Sequence, residues 1–306
     1  MPLEYFGFRA LWSPLFLAFV LAAAAVYLWL TGPGRKLFKD LEPVSAGKKI
    51  SFLSGLFVLY VALGSPLDLL AHLLFSAHMV SMALAFLIAP PLIMIGIPGW
   101  LIRPLTNDRW FKAFLKINHP IITVLLFNVL FSFYHMPVIH DFVMTHFTVH
   151  TVYYIVLMIS AFMMWWPIVS PLPELVNMPS LRKIFYIMAN GVLLTPACAF
   201  IIFAGEPLFA TYTDPETWAR ALTYCVPSDA AQLLNQFSGP QTFYILPARD
   251  DQQLGGIVMK IIQEIMYASM LAYIFFKSFI KEHAGDDQTD HPAAEFSTVK
   301  EQWNRV

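Results

Sequence analysis

Residues 73–97, LLFSAHMVSMALAFLIAPPLIMIGI, contain no Asp, Glu, Lys or Arg and are almost entirely apolar. A run of this length can cross the hydrocarbon core of a bilayer, which needs about 20 residues of helix. We therefore interpret this stretch as a membrane-spanning helix. Pro90 and Pro91 lack backbone N–H groups, so they are expected to kink its last turns.

The rest of the chain has the same apolar character. Of its 306 residues, 58% are hydrophobic and 13% are charged, and the mean hydropathy is +0.62. Soluble domains are nearer a quarter charged, and a water-soluble fold of this size could not bury so much apolar surface. The composition excludes disordered, fibrous and disulfide-rich secreted proteins, and the net charge of −1 gives no indication of nucleic-acid binding. It predicts an all-α integral membrane protein.

Seven segments are apolar enough to be interpreted as transmembrane helices. They are approximately 10–31, 50–64, 73–97, 120–134, 145–168, 185–203 and 253–276. The expected architecture is a seven-transmembrane helix bundle, residues 1–281, which includes a long loop at 206–251. Residues 282–306 are polar and charged, and we expect them to form a disordered cytoplasmic tail.

The basic residues predict the orientation of this bundle. Lys and Arg occur in the first, third and fifth loops and at the end of the seventh helix, whereas the second and fourth loops have none. The sixth loop, 206–251, carries more acidic than basic residues. Because basic loops stay in the cytoplasm, the N-terminus is expected outside and the C-terminus inside. In the outer loop, 215–224 is expected to form an interfacial helix anchored by Trp218 and Tyr224.

The histidines are distributed unevenly. Six of the nine map to the outer ends of helices two to five or to the loops between them, namely His72, His78, His135, His140, His146 and His150. Polar groups at such positions are costly and indicate function by default. A single interfacial histidine is usually only an amphipathic anchor, and His140, in the middle of a loop, is interpreted in that way.

Helical spacing links several of these residues. His146 and His150 are four residues apart, which on a helix places both imidazoles on one face, where they can bind one metal ion. Asp68 is four residues before His72 and could orient it, and His78 is four before Met82. Imidazole suits copper, zinc, iron and nickel, and the thioether favours copper(I).

The predicted metal site consists of several histidines and one carboxylate. Its members are His72, His78, His135, His146, His150 and Asp251, the last at the start of the seventh helix. Asp141 is expected to cap the fifth helix. Lys260 and Glu264, four apart in the seventh helix, are expected to form an intramembrane ion pair or to line a polar cavity.

Several motifs occur in the order found in one known family. They are His78-Met79, Ala89-Pro90-Pro91-Leu92, Gly96-Ile97-Pro98, His135-Met136-Pro137, Asp141, His146-x-x-x-His150, Trp165-Trp166-Pro167 and Asp251-Gln252-Gln253-Leu254-Gly255-Gly256 with Met259. In these motifs the chain resembles the CtaG family of multi-span cytochrome c oxidase assembly factors, found beside caa-type oxidases in Gram-positive bacteria. Two positions depart from the pattern: Met82 stands where many relatives have a second histidine, and Lys260 where many have tryptophan.

The resemblance implies a role in making active oxidase, with a proposed part in copper delivery, in the bacterial plasma membrane. It also implies functional positions at His78, His135, His146, His150 and Asp251, whereas His72 is added from topology. Copper, oxidase subunits and the lipid bilayer are the expected partners, with the metal on the extracytoplasmic side. The sequence leaves open whether the protein forms a homo-oligomer.

Three alternatives remain from the sequence: a haem-binding redox protein, a metal transporter and a metal-free scaffold. No enzyme is expected, because no nucleophile or general-base assembly is recognisable.

Overall fold

A computed structural model describes residues 3–37, 42–176, 178–223, 237 and 239–286. Throughout this part of the chain the regular elements are helical. The α-helices are α1 (Gly7–Trp12), α2 (Pro14–Thr31), α3 (Ala46–Gly64), α4 (Pro66–Leu73), α5 (Phe75–Ala83), α6 (Ala89–Gly96), α7 (Gly99–Ile102), α8 (Arg109–Ile117), α9 (Pro120–Tyr134), α10 (Pro137–Met144), α11 (Phe147–Val169), α12 (Ser180–Ile202), α13 (Pro215–Leu222) and α14 (Ala248–Asp286).

Six helices in the described residues are long and apolar enough to cross a membrane, which makes the chain a multi-pass membrane protein. They are Gly7–Thr31, Ala46–Gly64, Phe75–Gly96, Phe147–Val169, Ser180–Ile202 and Ala248–Phe276. Each corresponds to a predicted span, with most ends shifted by a few residues. The last helix continues to Asp286, into the segment predicted as tail, and residues 287–306 lie outside the described part.

The remaining predicted span is α9. Its bounds match the prediction, but its 15 residues are short for a bilayer. It reaches the required length only together with α8, and the two helices are bent by 80° relative to each other. The described residues therefore contain six membrane spans, or seven if α8 and α9 together cross as one bent span.

The span formed by α5 and α6 is the centre of the bundle. In its most apolar window 72% of the residues are buried, against 17–50% in the other five spans. A π-helical segment, Leu84–Ile88, joins its two halves, and the backbone N–H of Ala89 donates to the carbonyl of Leu84. This wider turn directly precedes Pro90 and Pro91, so the span accommodates two residues without N–H groups in one continuous helix.

Two adjacent glycines allow α14 to pack closely against its neighbours. A Cβ atom on Gly255 would lie 2.9 Å from the Phe75 ring and 3.0 Å from the Cα atom of Ser76. A Cβ atom on Gly256 would lie 2.8 Å from Ile202 of α12. A larger residue at Gly255 would push α14 away from the start of α5, where the candidate site lies. A larger residue at Gly256 would push it away from α12.

The expected ion pair in the last helix is present. Lys260 Nζ lies 2.7 Å from Glu264 Oε1 and donates to Thr195 Oγ1 of α12 at 2.8 Å. The pair lies on the surface of the bundle and not in its interior, since the Glu264 side chain is 60% exposed. The pair therefore does not line an internal polar path.

The segment between α12 and α14 folds back onto the bundle. Helix α13 forms as expected, but Trp218 is only 1% exposed and packs with Phe6, Leu69 and Phe243. The expected role of Trp218 as a headgroup anchor is therefore wrong, because its ring fills an apolar cluster between α1, α4 and the loop. Tyr224 lies outside the described residues.

Candidate metal centre

Five imidazole rings lie close together at one end of the bundle. The ring centroid of His78, on α5, is 5.2 Å from that of His140, on α10, and 6.0 Å from that of His135, which follows α9. We call these three the inner group. His72, on α4, and His150, on α11, have ring centroids 6.0 Å apart and form the outer pair.

Backbone carbonyls fix the proton on two of these rings. His135 Nδ1 lies 2.7 Å from the carbonyl oxygen of Phe131, and His72 Nδ1 lies 2.8 Å from that of Asp68. A carbonyl oxygen can only accept, so Nδ1 carries the hydrogen in each ring. The lone pair is then on Nε2. Metal-binding histidines have the same arrangement when the other ring nitrogen donates to a carbonyl or carboxylate oxygen.

Four rings in this cluster have a buried Nε2 atom without a hydrogen-bond partner among the described residues. They are the rings of His78, His135, His140 and His150, and the Nδ1 atom of His140 has no such partner either. The inner group is almost fully enclosed, with exposed fractions of 0–2%. A buried polar atom without a partner is costly and uncommon. Four in one cluster fit a role as donors to a metal ion.

The spacing of the rings limits the coordination that this cluster offers. Two imidazoles bound to one ion, each about 2 Å from it, have ring centroids about 5–6 Å apart. The His78–His140, His78–His135 and outer-pair separations all lie in that range. Among the described residues, however, no three or more His, Cys, Asp or Glu side chains are arranged to hold a metal ion. The geometry therefore offers pairs of nitrogens.

Thioether groups lie on the same helices. Met79 and Met82 of α5 are fully buried, one residue and one turn from His78. Met144, at the end of α10, accepts a hydrogen bond from the Tyr134 hydroxyl to its Sδ atom at 3.4 Å. Imidazole with thioether is a donor set that favours copper(I) over harder ions.

His140 is the residue that the sequence interpretation missed. The sequence predicts an interfacial anchor in a loop, but His140 is fully buried on α10 and contacts His78. Burial lowers the pKa of His140, and the nearby Asp141 opposes this only in part, so the ring is neutral at pH 7. The available signal was Pro137, which is typical of the first turn of a helix and indicates that 137–144 is not an open loop.

Asp141 does not cap the fifth helix, contrary to expectation. Its carboxylate accepts hydrogen bonds from the backbone N–H groups of Ala210 and Thr211 and from the Thr211 hydroxyl, at 2.6–3.0 Å. Burial alone would raise its pKa, but His140 and Thr211 hold the pKa below its usual value. Its Oδ1 atom also lies 3.6 Å from His140 Nδ1. Asp141 thus fixes the segment between α12 and α14, residues 203–247, beside the inner group and faces His140. We call this stretch the outer segment.

His146 lies apart from the other histidines. Helix α11 begins only at Phe147, and His146 precedes it in an extended conformation with φ −132° and ψ 98°. The His146 ring is exposed and its Nδ1 atom lies 2.7 Å from the carbonyl oxygen of Phe142. The expected one-face pair with His150 does not form, because that spacing holds only when both residues are helical.

Asp251 is buried, and its carboxylate is directed at the start of α5. One oxygen accepts from the backbone N–H of Ser76 at 3.1 Å, and the other accepts from the Ser76 hydroxyl. Because Ser76 is in the first turn of α5, this carboxylate caps the helix from a different part of the chain. It thereby holds in place the helix that carries His78.

Aromatic rings separate the inner group from solvent. His78 stacks on Tyr134 at 5.7 Å, and Phe209 lies 4.7 Å from His140, measured between ring centroids. Tyr212, in the outer segment, donates to the carbonyl oxygen of Ala71 at 2.7 Å. These contacts close this end of the bundle over a nitrogen-rich interior.

Comparison with known proteins gives one match. The family model described as cytochrome c oxidase caa3 assembly factor (Caa3_CtaG) matches residues 25–280, which is most of the chain and includes all five clustered histidines. No curated protein matches the chain. No solved structure matches it either. The chain belongs to the cytochrome c oxidase caa3 assembly factor family.

Proposed function

We propose that this protein binds copper(I) through its buried histidines and supplies it during assembly of a caa3-type oxidase. The observation that carries the proposal is the set of four buried Nε2 atoms without hydrogen-bond partners among the described residues. A copper ion would replace the missing hydrogen bonds, and copper(I) accepts as few as two nitrogen ligands. The ligands that this chain would supply are His78 and one of its two neighbours, His140 or His135, with the outer pair nearby.

The proposal also states which side of the membrane the histidine cluster faces. The alternation of basic loops supports an N-terminus outside and seven crossings. In this arrangement α9 is the fourth of the seven spans, and α8 lies against the cytoplasmic surface, where its basic residues belong. The histidine cluster then faces the extracytoplasmic side, from which copper for an oxidase would arrive.

The main rival is a scaffold that binds oxidase subunits without metal. It leaves the buried, unpartnered nitrogens without a physical reason, because packing alone would favour apolar side chains at these positions. The copper proposal requires no catalytic step, since the protein only holds and transfers an ion.

The test replaces the chromosomal gene with one encoding His78→Ala/His135→Ala, beside a strain carrying His146→Ala. We expect the double variant to yield oxidase with about tenfold less copper and correspondingly low activity, because two donors are lost. The His146→Ala strain should assemble normal oxidase, since that ring is exposed and outside the cluster. Copper is measured by mass spectrometry on the purified oxidase.

The amount of each variant in the membrane is measured by immunoblot, so that loss of the protein is recognised. If a strain contains normal amounts of the double variant and still yields fully copper-loaded oxidase, the copper role is contradicted. The metal-free scaffold is then the remaining function.

A further inference from the structure

A cavity of about 300 Å³ lies beside the outer pair. It is bordered by α1, α4, α11 and the end of α10, and its walls include Arg9, Asp68, His72, Met144, His150 and Tyr154. The inner group does not line it. The cavity therefore exposes a different set of nitrogen and sulfur donors from those enclosed deeper in the bundle.

We infer that this cavity is the place where copper(I) is taken up and released, with His72, His150 and Met144 as its transient ligands. The inference rests on the proposed function, because it assumes that the inner group stores the ion. Both imidazoles and the thioether are neutral donors that suit copper(I).

The chemistry of the outer pair suits brief binding. His72 keeps its hydrogen on Nδ1 through the carbonyl of Asp68, so the lone pair of this ring is on Nε2. His150 Nε2 is buried and has no hydrogen-bond partner among the described residues, although its side chain borders the cavity. Because these donors border the cavity, an incoming ligand can reach an ion held there, whereas the inner group is only 0–2% exposed.

Met144 and two tyrosines connect the cavity to the inner group. Met144 borders the cavity and accepts the hydrogen bond from Tyr134, whose ring packs against His78. Tyr154 packs against His150 at 4.2 Å and against Tyr134 at 6.0 Å, measured between ring centroids. The inner and outer donors are therefore separated by a single layer of side chains.

Transfer through this layer is a ligand exchange. A bond from copper(I) to an outer Nε2 or to the Met144 sulfur breaks as a bond to an inner Nε2 forms. The copper stays copper(I), and the neutral rings neither gain nor lose a proton. The inner group is enclosed and does not line the cavity, so the route that we infer passes through this layer of side chains.

The first test obstructs the cavity without removing a donor. Ala10, on α1, is one of its wall residues, whereas Phe8 on the same helix is exposed and is not. In copper(I)-loaded protein purified in detergent, Ala10→Trp should slow copper transfer to the chelator bicinchoninate by about tenfold or more. Phe8→Trp should leave the rate unchanged, and both variants should keep the wild-type amount of copper at equilibrium.

The second test removes the outer donors. His72→Ala/His150→Ala should load and release copper more slowly and yet keep the tightly held ion. Wild-type transfer rates in both this variant and Ala10→Trp would overturn the inferred route while leaving the proposed copper function intact. A wild-type protein that binds no copper at all would overturn both.

Discussion

The His78→Ala/His140→Ala variant is expected to bind copper(I) at least about a hundredfold more weakly than the wild type. His78 is the ring that contacts both other members of the inner group, and its centroid is 5.2 Å from His140. Removing both rings leaves the inner group with His135 alone, which cannot supply two nitrogens to one ion, and the outer pair holds an ion only briefly. Affinity is measured on the purified protein by competition with a chromophoric copper(I) chelator.

The matched control for this prediction is His146→Ala, which removes an exposed imidazole at the same end of the bundle. Its affinity should equal that of the wild type. His78→Gln/His140→Gln, which keeps polar side chains in the core, is measured in parallel in case the alanine variant does not fold. If the glutamine variant is folded and retains wild-type affinity, the inner group does not hold the copper.

Replacing Asp141 with alanine should strongly destabilise the outer segment. The variant loses three hydrogen bonds to a carboxylate, two from backbone N–H groups and one from the Thr211 hydroxyl. Hydrogen bonds to charged groups are among the stronger ones, so we expect the free energy of unfolding to fall by about 3 kcal/mol. Thermal unfolding in detergent measures the change, and limited proteolysis shows whether the outer segment has become accessible.

Asp214→Ala is the control, because Asp214 is also an outer-segment carboxylate but caps only its own helix, through Thr217. It should reduce stability far less than Asp141→Ala. Equal effects of the two substitutions would mean that Asp141 does not fix the outer segment to the bundle.

Membrane spans and close helix packing could be predicted from the sequence because both depend on local patterns. An apolar run such as 73–97 indicates a span by its length alone. The pair Gly255-Gly256 indicates that helices can approach closely. The Lys260–Glu264 ion pair follows from a spacing of four residues within one helix.

The contributions of His140, Asp141 and Trp218 could not be predicted in the same way. Each depends on how the segment between α12 and α14 folds back onto the bundle. Asp141 bonds to Thr211, 70 residues away in the chain, and no local spacing indicates such a contact. Trp218 has the sequence context of an interfacial anchor, but burial against Phe6 and Phe243 decides its role.

The pairing of His146 with His150 shows how much a helix boundary matters. The two residues share a face only if the helix includes both, and α11 begins one residue after His146. A shift of this size is within the uncertainty of helix ends inferred from sequence. The structure instead pairs His150 with His72, from a different helix.

The most direct test of the central claim is X-ray absorption at the copper edge on the purified, copper(I)-loaded protein. If the buried histidines hold the ion, the spectrum should show two nitrogen neighbours at about 2 Å. It should also show the outer-shell scattering of imidazole rings, and the His78→Ala/His140→Ala variant should retain too little copper after chelator washing to give this signal. A wild-type spectrum without imidazole scattering, or a protein that retains no copper after chelator washing, would contradict the claim.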